Sequence, residues 1–146
     1  MFAKTLKAAS ILAVIAGLSA VAPAMADGQR VFIDQRGSDN GLGGAQSGLH
    51  HAMTVMQAGR NNGAIVTQSG RRNSAAVGQV GRNNRADVDQ RGRGNVLGIA
   101  QTGRNNTATT RQSGRNNTAA TIQGGNNNTA TATQNGNNNV IVIIQQ

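Results

Sequence analysis

The chain contains no cysteine, tryptophan or tyrosine, and its two phenylalanines are Phe2 and Phe32. Without cysteine a disulfide framework is excluded, and a thiol-free chain can stay unfolded while it crosses an oxidising compartment. Without aromatic side chains a conventional globular core is out of reach. The dominance of Gly, Asn, Gln, Ala and Thr would, by composition alone, point to disorder. Acids are scarce as well: five aspartates stand against 14 basic residues, a net charge of +9. The main apolar run, residues 8–21, falls short of the roughly 20 residues that a membrane-spanning helix needs. It follows Lys4 and Lys7 and precedes Ala24-Met25-Ala26, a small-x-small cleavage site before Asp27. Residues 1–26 therefore read as a secretory signal peptide, and residues 27–146 as one exported domain. In that domain every basic residue is arginine, 12 of them against the five aspartates, for a net charge of +7.

What the chain has instead is a beat of 11 residues. Glutamine recurs at Gln35, Gln46, Gln57, Gln68, Gln79, Gln90, Gln101, Gln112, Gln123, Gln134 and Gln145. Two places after each comes glycine: Gly37 and Gly48, then Gly59, Gly70, Gly81, Gly92, Gly103, Gly114, Gly125 and Gly136. Three places further comes asparagine: Asn40, then Asn62, Asn73, Asn84, Asn95, Asn106, Asn117, Asn128 and Asn139, with His51 as the one exception. Disorder gives no reason to hold three residue types in phase, so the repeat governs the reading.

From each Asn to the next Gln, alternate positions are small or apolar, as in Asn62, Ala64, Val66 and Gln68. That period of two predicts strands. The stretch from Gln to the following Asn carries the phased glycine and predicts a turn. Strand and turn in fixed alternation predict an all-β solenoid of two facing sheets, with two 11-residue units making a rung of 22. It would have 11 strands, from Gln29–Gln35 to Asn139–Gln145. Inward pairs on odd strands are bulky (Val31/Ile33, Met53/Val55, Leu97/Ile99, Ile141/Ile143), and those on even strands are smaller (Leu42/Gly44, Ala64/Val66, Ala86/Val88, Ala108/Thr110, Ala130/Ala132). Large against small lets the sheets interdigitate without aromatics. Outward, the odd face is apolar at Val96, Ile122, Val140, Val142 and Ile144, while the even face carries Arg85, Asp87, Asp89, Arg111 and a set of threonines. Rungs stack at about 4.7–4.9 Å. The glutamines from Gln57 to Gln145 and the asparagines from Asn62 to Asn139 are therefore predicted to form amide ladders that satisfy one another along the stack.

Six arginines fall at the turns, Arg60, Arg82 and Arg104 on one edge and Arg71, Arg93 and Arg115 on the other. Two roles suit such columns. They act as gatekeepers that slow premature aggregation, or they bind a linear polyanion such as lipopolysaccharide phosphate or extracellular DNA, through the backbone only because no aromatic is there to stack on bases. The strand Val140-Ile141-Val142-Ile143-Ile144 is uncharged, β-branched and Pro-free, which marks it as a cross-β growing end. No enzyme, cofactor or metal site is read. Adjacent His50 and His51 would point to opposite sides of a strand, two histidines and five aspartates make no catalytic set, and the turns lack the Asp of calcium-binding repeats.

The unit Q-x-G-x-x-N-x-A-x-x-x-Q closely resembles the curlin repeat of bacterial curli fibres, and is matched literally from Gln57 to Gln68, Gln68 to Gln79, Gln79 to Gln90, Gln101 to Gln112, Gln112 to Gln123 and Gln123 to Gln134. The resemblance implies a secreted subunit that polymerises as cross-β amyloid for biofilm matrix and adhesion. It also implies three partners: other copies of itself, a second curlin subunit, and an outer-membrane export machinery. Asn rather than Ser opens nearly every strand, a nucleator-like trait, and no Gly-rich leader separates residue 27 from the repeats. The alternative is a soluble monomeric solenoid that binds ice, glycan or polyanion on the flat array of Thr107, Thr109, Thr129, Thr131 and Thr133.

Overall fold

Alternating small apolar side chains leave a strand with one face to bury, and every 11 residues the chain turns that face back on its neighbour. In the computed structural model, which describes residues 28–146, this produces 11 strands. They are β1 (Arg30–Ser38), β2 (Gly41–Leu49), β3 (Ala52–Arg60), β4 (Gly63–Arg71), β5 (Ser74–Arg82), β6 (Arg85–Arg93), β7 (Val96–Arg104), β8 (Thr107–Arg115), β9 (Thr118–Gln123), β10 (Thr129–Asn137) and β11 (Val140–Gln145). Residues 1–26, which the sequence predicts to be a signal peptide, lie outside the described residues.

Odd strands form one parallel sheet in the order β1-β3-β5-β7-β9-β11, and even strands a second, β2-β4-β6-β8-β10. Every pairing joins residues 22 apart, as in Gln57 to Gln79 and Gln68 to Gln90, so the rung is two repeats and the molecule is a β-solenoid. We call the odd sheet A and the even sheet B. Between them Met53, Val55, Leu97 and Ile99 of sheet A interleave with Ala64, Val66, Ala86 and Val88 of sheet B, all buried. The alternation of size also runs along sheet A itself, where Ala75 and Ala119 flank Leu97. At the first rung the inward pair loses its cover, and Val31 and Ile33 are 56% and 49% exposed.

Apart from β9 and β11, which end at Gln123 and Gln145, the strands are longer than the sequence pattern predicts. Pairing continues past the glutamine and the glycine to the arginine, so that β4 ends at Arg71 rather than at Gln68. The phased glycine is a bend inside the strand, not the turn. Gly81 takes φ 123°, and a Cβ there would overlap the carbonyl oxygen of Gly103 in the next rung. The turn is made one residue before the phased asparagine, by Asn61, Arg72, Asn83, Asn105 and Asn116 at φ between 53° and 56°. Asparagine tolerates this left-handed region better than most residues, which explains the doubled Asn-Asn of the repeat. His50 and His51 occupy such a turn between β2 and β3, not a strand.

Candidate functional site: stacked amides, arginine columns and open edges

Glutamine places a primary amide at the sheet–sheet seam, with two donors and an acceptor to satisfy. In sheet A, Gln35, Gln57, Gln79, Gln101, Gln123 and Gln145 stack so that each Nε2 donates to Oε1 of the next, over 2.6–2.9 Å. In sheet B, Gln46, Gln68, Gln90, Gln112 and Gln134 do the same over 2.7–2.9 Å. The second amide hydrogen crosses to the opposite sheet: Gln79 donates to the Gly63 carbonyl at 3.0 Å and Gln101 to the Arg85 carbonyl at 2.9 Å. Each glutamine from Gln57 to Gln123 thus ties its rung to the next and its sheet to the other. All bonds of both columns point the same way along the axis.

The asparagine column works differently. Its principal partners are backbone groups rather than neighbouring amides. Asn84 Oδ1 accepts the backbone N–H of Asn106 at 3.1 Å, while its Nδ2 donates to the carbonyls of Val80 and of Gly103, both at 3.2 Å. The same pattern holds at Asn62, Asn73, Asn95, Asn106 and Asn117. Asn128 Nδ2 reaches the Gly124 carbonyl, and the Asn139 backbone N–H donates to Asn117 Oδ1 at 3.0 Å. The glycine bend and the left-handed turn would otherwise orphan these groups, at about 1–3 kcal/mol each. His51, buried in this column, takes over two of the three asparagine hydrogen bonds. Its Nδ1 accepts the Asn73 backbone N–H at 3.3 Å and its Nε2 faces the Ser47 carbonyl at 3.0 Å, as its N–H donor in the tautomer this fixes.

A second, exposed amide column runs through the turns, where Asn83 donates to Asn105 and Asn105 to Asn127, both at 3.1 Å. Its signal in the sequence is the first asparagine of each Asn-Asn pair, which lies outside the phased Gln, Gly and Asn positions.

The six turn arginines lie in register at the strand ends, Arg60–Arg82–Arg104 in sheet A and Arg71–Arg93–Arg115 in sheet B. All six are exposed. The ion pairs among the described residues are Arg36–Asp34 and Arg91–Asp89, so no carboxylate neutralises the columns. Asn126 and Asn137 continue the two columns without charge. The turn glycines Gly59, Gly70, Gly81, Gly92, Gly103, Gly114 and Gly136 all have φ between 107° and 124°, and Gly125, at φ 82°, follows the shorter β9. Among the described residues β1, β2, β10 and β11 each pair on one side only. On β11, Val140, Val142 and Ile144 are 60–70% exposed, and Ile141 and Ile143 are half-buried.

This periodic stack of Gln, Gly and Asn is also what a family profile detects. The curlin associated repeat matches at residues 59–92, 81–114 and 103–134, together just over half of the chain. The chain belongs to the curlin family. Each match starts at a glycine bend, spans about a rung and a half of this curlin, and so takes in both sheets. A search of curated proteins gives no match. Curlin repeats on a β-solenoid make this a structural subunit of curli type, in a family that is not enzymatic. No helix among the described residues is long and apolar enough to cross a membrane.

Proposed function

We propose that this curlin is exported, loses residues 1–26, and adds end to end to other copies outside the cell, forming the cross-β fibre of a biofilm matrix. The observation that carries this reading is the state of the ends. Both sheets finish on strands that pair with another strand on one side only among the described residues, and such edges template further strands. The glutamine columns reach those edges with their direction intact: Gln35 presents an unused Oε1 at one end, and Gln145 an amide donor at the other. A second copy arriving head to tail would extend both the backbone ladder and the amide ladder. Val140–Gln145 acts as a growing edge, with a partner curlin and an outer-membrane export pore as the other components. The arginine columns keep the chain apart until it is outside, and there they offer a binding line for polyanions such as lipopolysaccharide or extracellular DNA.

Fibre diffraction on residues 27–146, incubated alone, tests the reading. Reflections near 4.7 and 10 Å are expected, and Val142→Lys should suppress them while leaving strand content unchanged. A species that stays monomeric by sedimentation at every concentration, even with a second curlin present, would overturn it. That outcome would leave a soluble solenoid whose threonine array, with Thr107 beside Thr129 and Thr109 beside Thr131, is the surface to examine.

A further inference from the structure

The two outer faces of the solenoid differ in chemistry. Sheet B carries Arg85, Asp87, Asp89 and Arg91 across its middle strand, with Arg111 beside Asp89. On sheet A, from β3 to β11, no outward side chain within the flat part of a strand is charged. Large apolar groups stand on it at 47–70% exposure, among them Met56, Val80, Val96, Ile122 and Val140. A groove of about 380 Å³ runs between Met56 and Ile122 over Ala76, Gly78, Gly98 and Ala100. At one border of this face Arg60 and Arg82 line a shallow depression together with Ala58 and Val80, so the arginine column adjoins the apolar surface. Five strands at about 4.8 Å and seven residues at about 3.3 Å give a face of roughly 550 Å². That is at the upper end of what a soluble monomer leaves exposed, a size that marks an interaction surface.

We propose that sheet A docks on an anionic lipid bilayer. Its apolar side chains enter the boundary between headgroups and acyl chains, and Arg60, Arg82 and Arg104 meet lipid phosphates along its edge. Backbone groups inside the sheet are already paired, so the face can leave water without orphaning them. Charge complementarity selects lipid over a second copy of the same face. A second copy supplies no counter-charge: the arginine columns would meet in one orientation and face an edge without carboxylates in the other, and the one carboxylate on this sheet, Asp34, is already engaged by Arg36. An anionic bilayer supplies both the apolar interior and the counter-charge. The inference rests on the fold and holds for a single molecule, whether or not fibres form.

The chain has no tryptophan, so one introduced reporter is unambiguous. Val96→Trp places it on sheet A and Thr109→Trp on sheet B. Residues 27–146 are mixed with phosphatidylcholine vesicles, with or without phosphatidylglycerol. The emission of Val96→Trp should shift to the blue only with phosphatidylglycerol, and that of Thr109→Trp should not move. Ile122→Glu should weaken binding at least tenfold by losing burial of the isoleucine. Thr109→Glu, with the same change of charge, should weaken it by no more than about fivefold, the worth of one charge at such a surface. Circular dichroism checks that each variant keeps its strands. Equal blue shifts at both positions, or equal losses from the two Glu variants, would show unoriented electrostatic attraction and overturn the proposal. So would an Ile122→Glu variant that binds vesicles normally but no longer pairs with other copies in lipid-free solution, since the occupant would then be a second copy.

Discussion

One buried side chain has a polar atom that the stack leaves without a partner. Thr110 Oγ1 is fully enclosed and unbonded, in the column where Val66 and Val88 precede it. Thr110→Val keeps the shape and removes an orphaned hydroxyl, so it should raise stability by about 1–2 kcal/mol, read from the urea midpoint of soluble residues 27–146. A loss of stability would mean that the hydroxyl has a partner in solution. His51 gives the opposite case. His51→Asn should be neutral or stabilising, because both of its hydrogen bonds can be re-made, whereas His51→Leu strands the Asn73 N–H and the Ser47 carbonyl and should cost roughly 2–5 kcal/mol. Were the two variants equal in stability, the ring would be a filler rather than a hydrogen-bonding member of its column. The asparagine positions were legible in the sequence because their phase never slips. What they bond to was not. Choosing backbone over neighbouring amide depends on where the bend leaves carbonyls unpaired, and a periodic string of letters carries no record of that.

At the level of the strand, the glycines divide by position rather than by type. Gly81 sits at the bend, with φ 123° and the Gly103 carbonyl against its Cα. Gly98 lies in the flat part of β7, with nothing within 4 Å of where a Cβ would stand. Gly81→Ala should therefore cost about 3 kcal/mol or more, through disfavoured backbone and overlap together, whereas Gly98→Ala should gain a few tenths through lower chain entropy. Thermal unfolding of the two variants side by side decides it, and similar melting temperatures would refute the bend. This is also where sequence and structure part company. The sequence predicts a turn at the phased glycine because turns are where glycine is commonest. In β4 and β5 the ladder instead runs through it to Arg71 and Arg82, and the reversal needs only two residues. Period-two alternation located the strand cores but fell silent at the bend, where the inward–outward alternation is broken.

For the molecule as a whole, charge sets the terms of association. Stacked arginines about 4.8 Å apart repel by on the order of 1 kcal/mol per pair in water. Raising ionic strength from about 0.01 to 0.15 M shortens the screening length from about 30 to 8 Å. Fibre formation by residues 27–146 should accelerate accordingly, and the dependence should flatten when Arg60, Arg82 and Arg104 are replaced by Gln. A lag time indifferent to salt in both proteins would remove the arginines from the control of assembly. The two-sheet architecture itself was legible, because one unbroken period admits few ways to stack. The solvent-facing ends were harder to read: pairs such as Val31/Ile33 keep the inward phase while lacking a rung to cover them.

The 22-residue register also says what this chain can lose and remain itself. Removing residues 74–95, one full rung, brings β7 onto β3 with every column unbroken. Removing only 74–84, a single copy of the motif, sends every later strand to the opposite sheet. Asp87 and Asp89 would then stand beside Thr54 and Met56 on the apolar face, and the threonines of β8 and β10 would follow them. The letters repeat every 11 residues, but the unit that duplication and deletion can trade without damage is the pair.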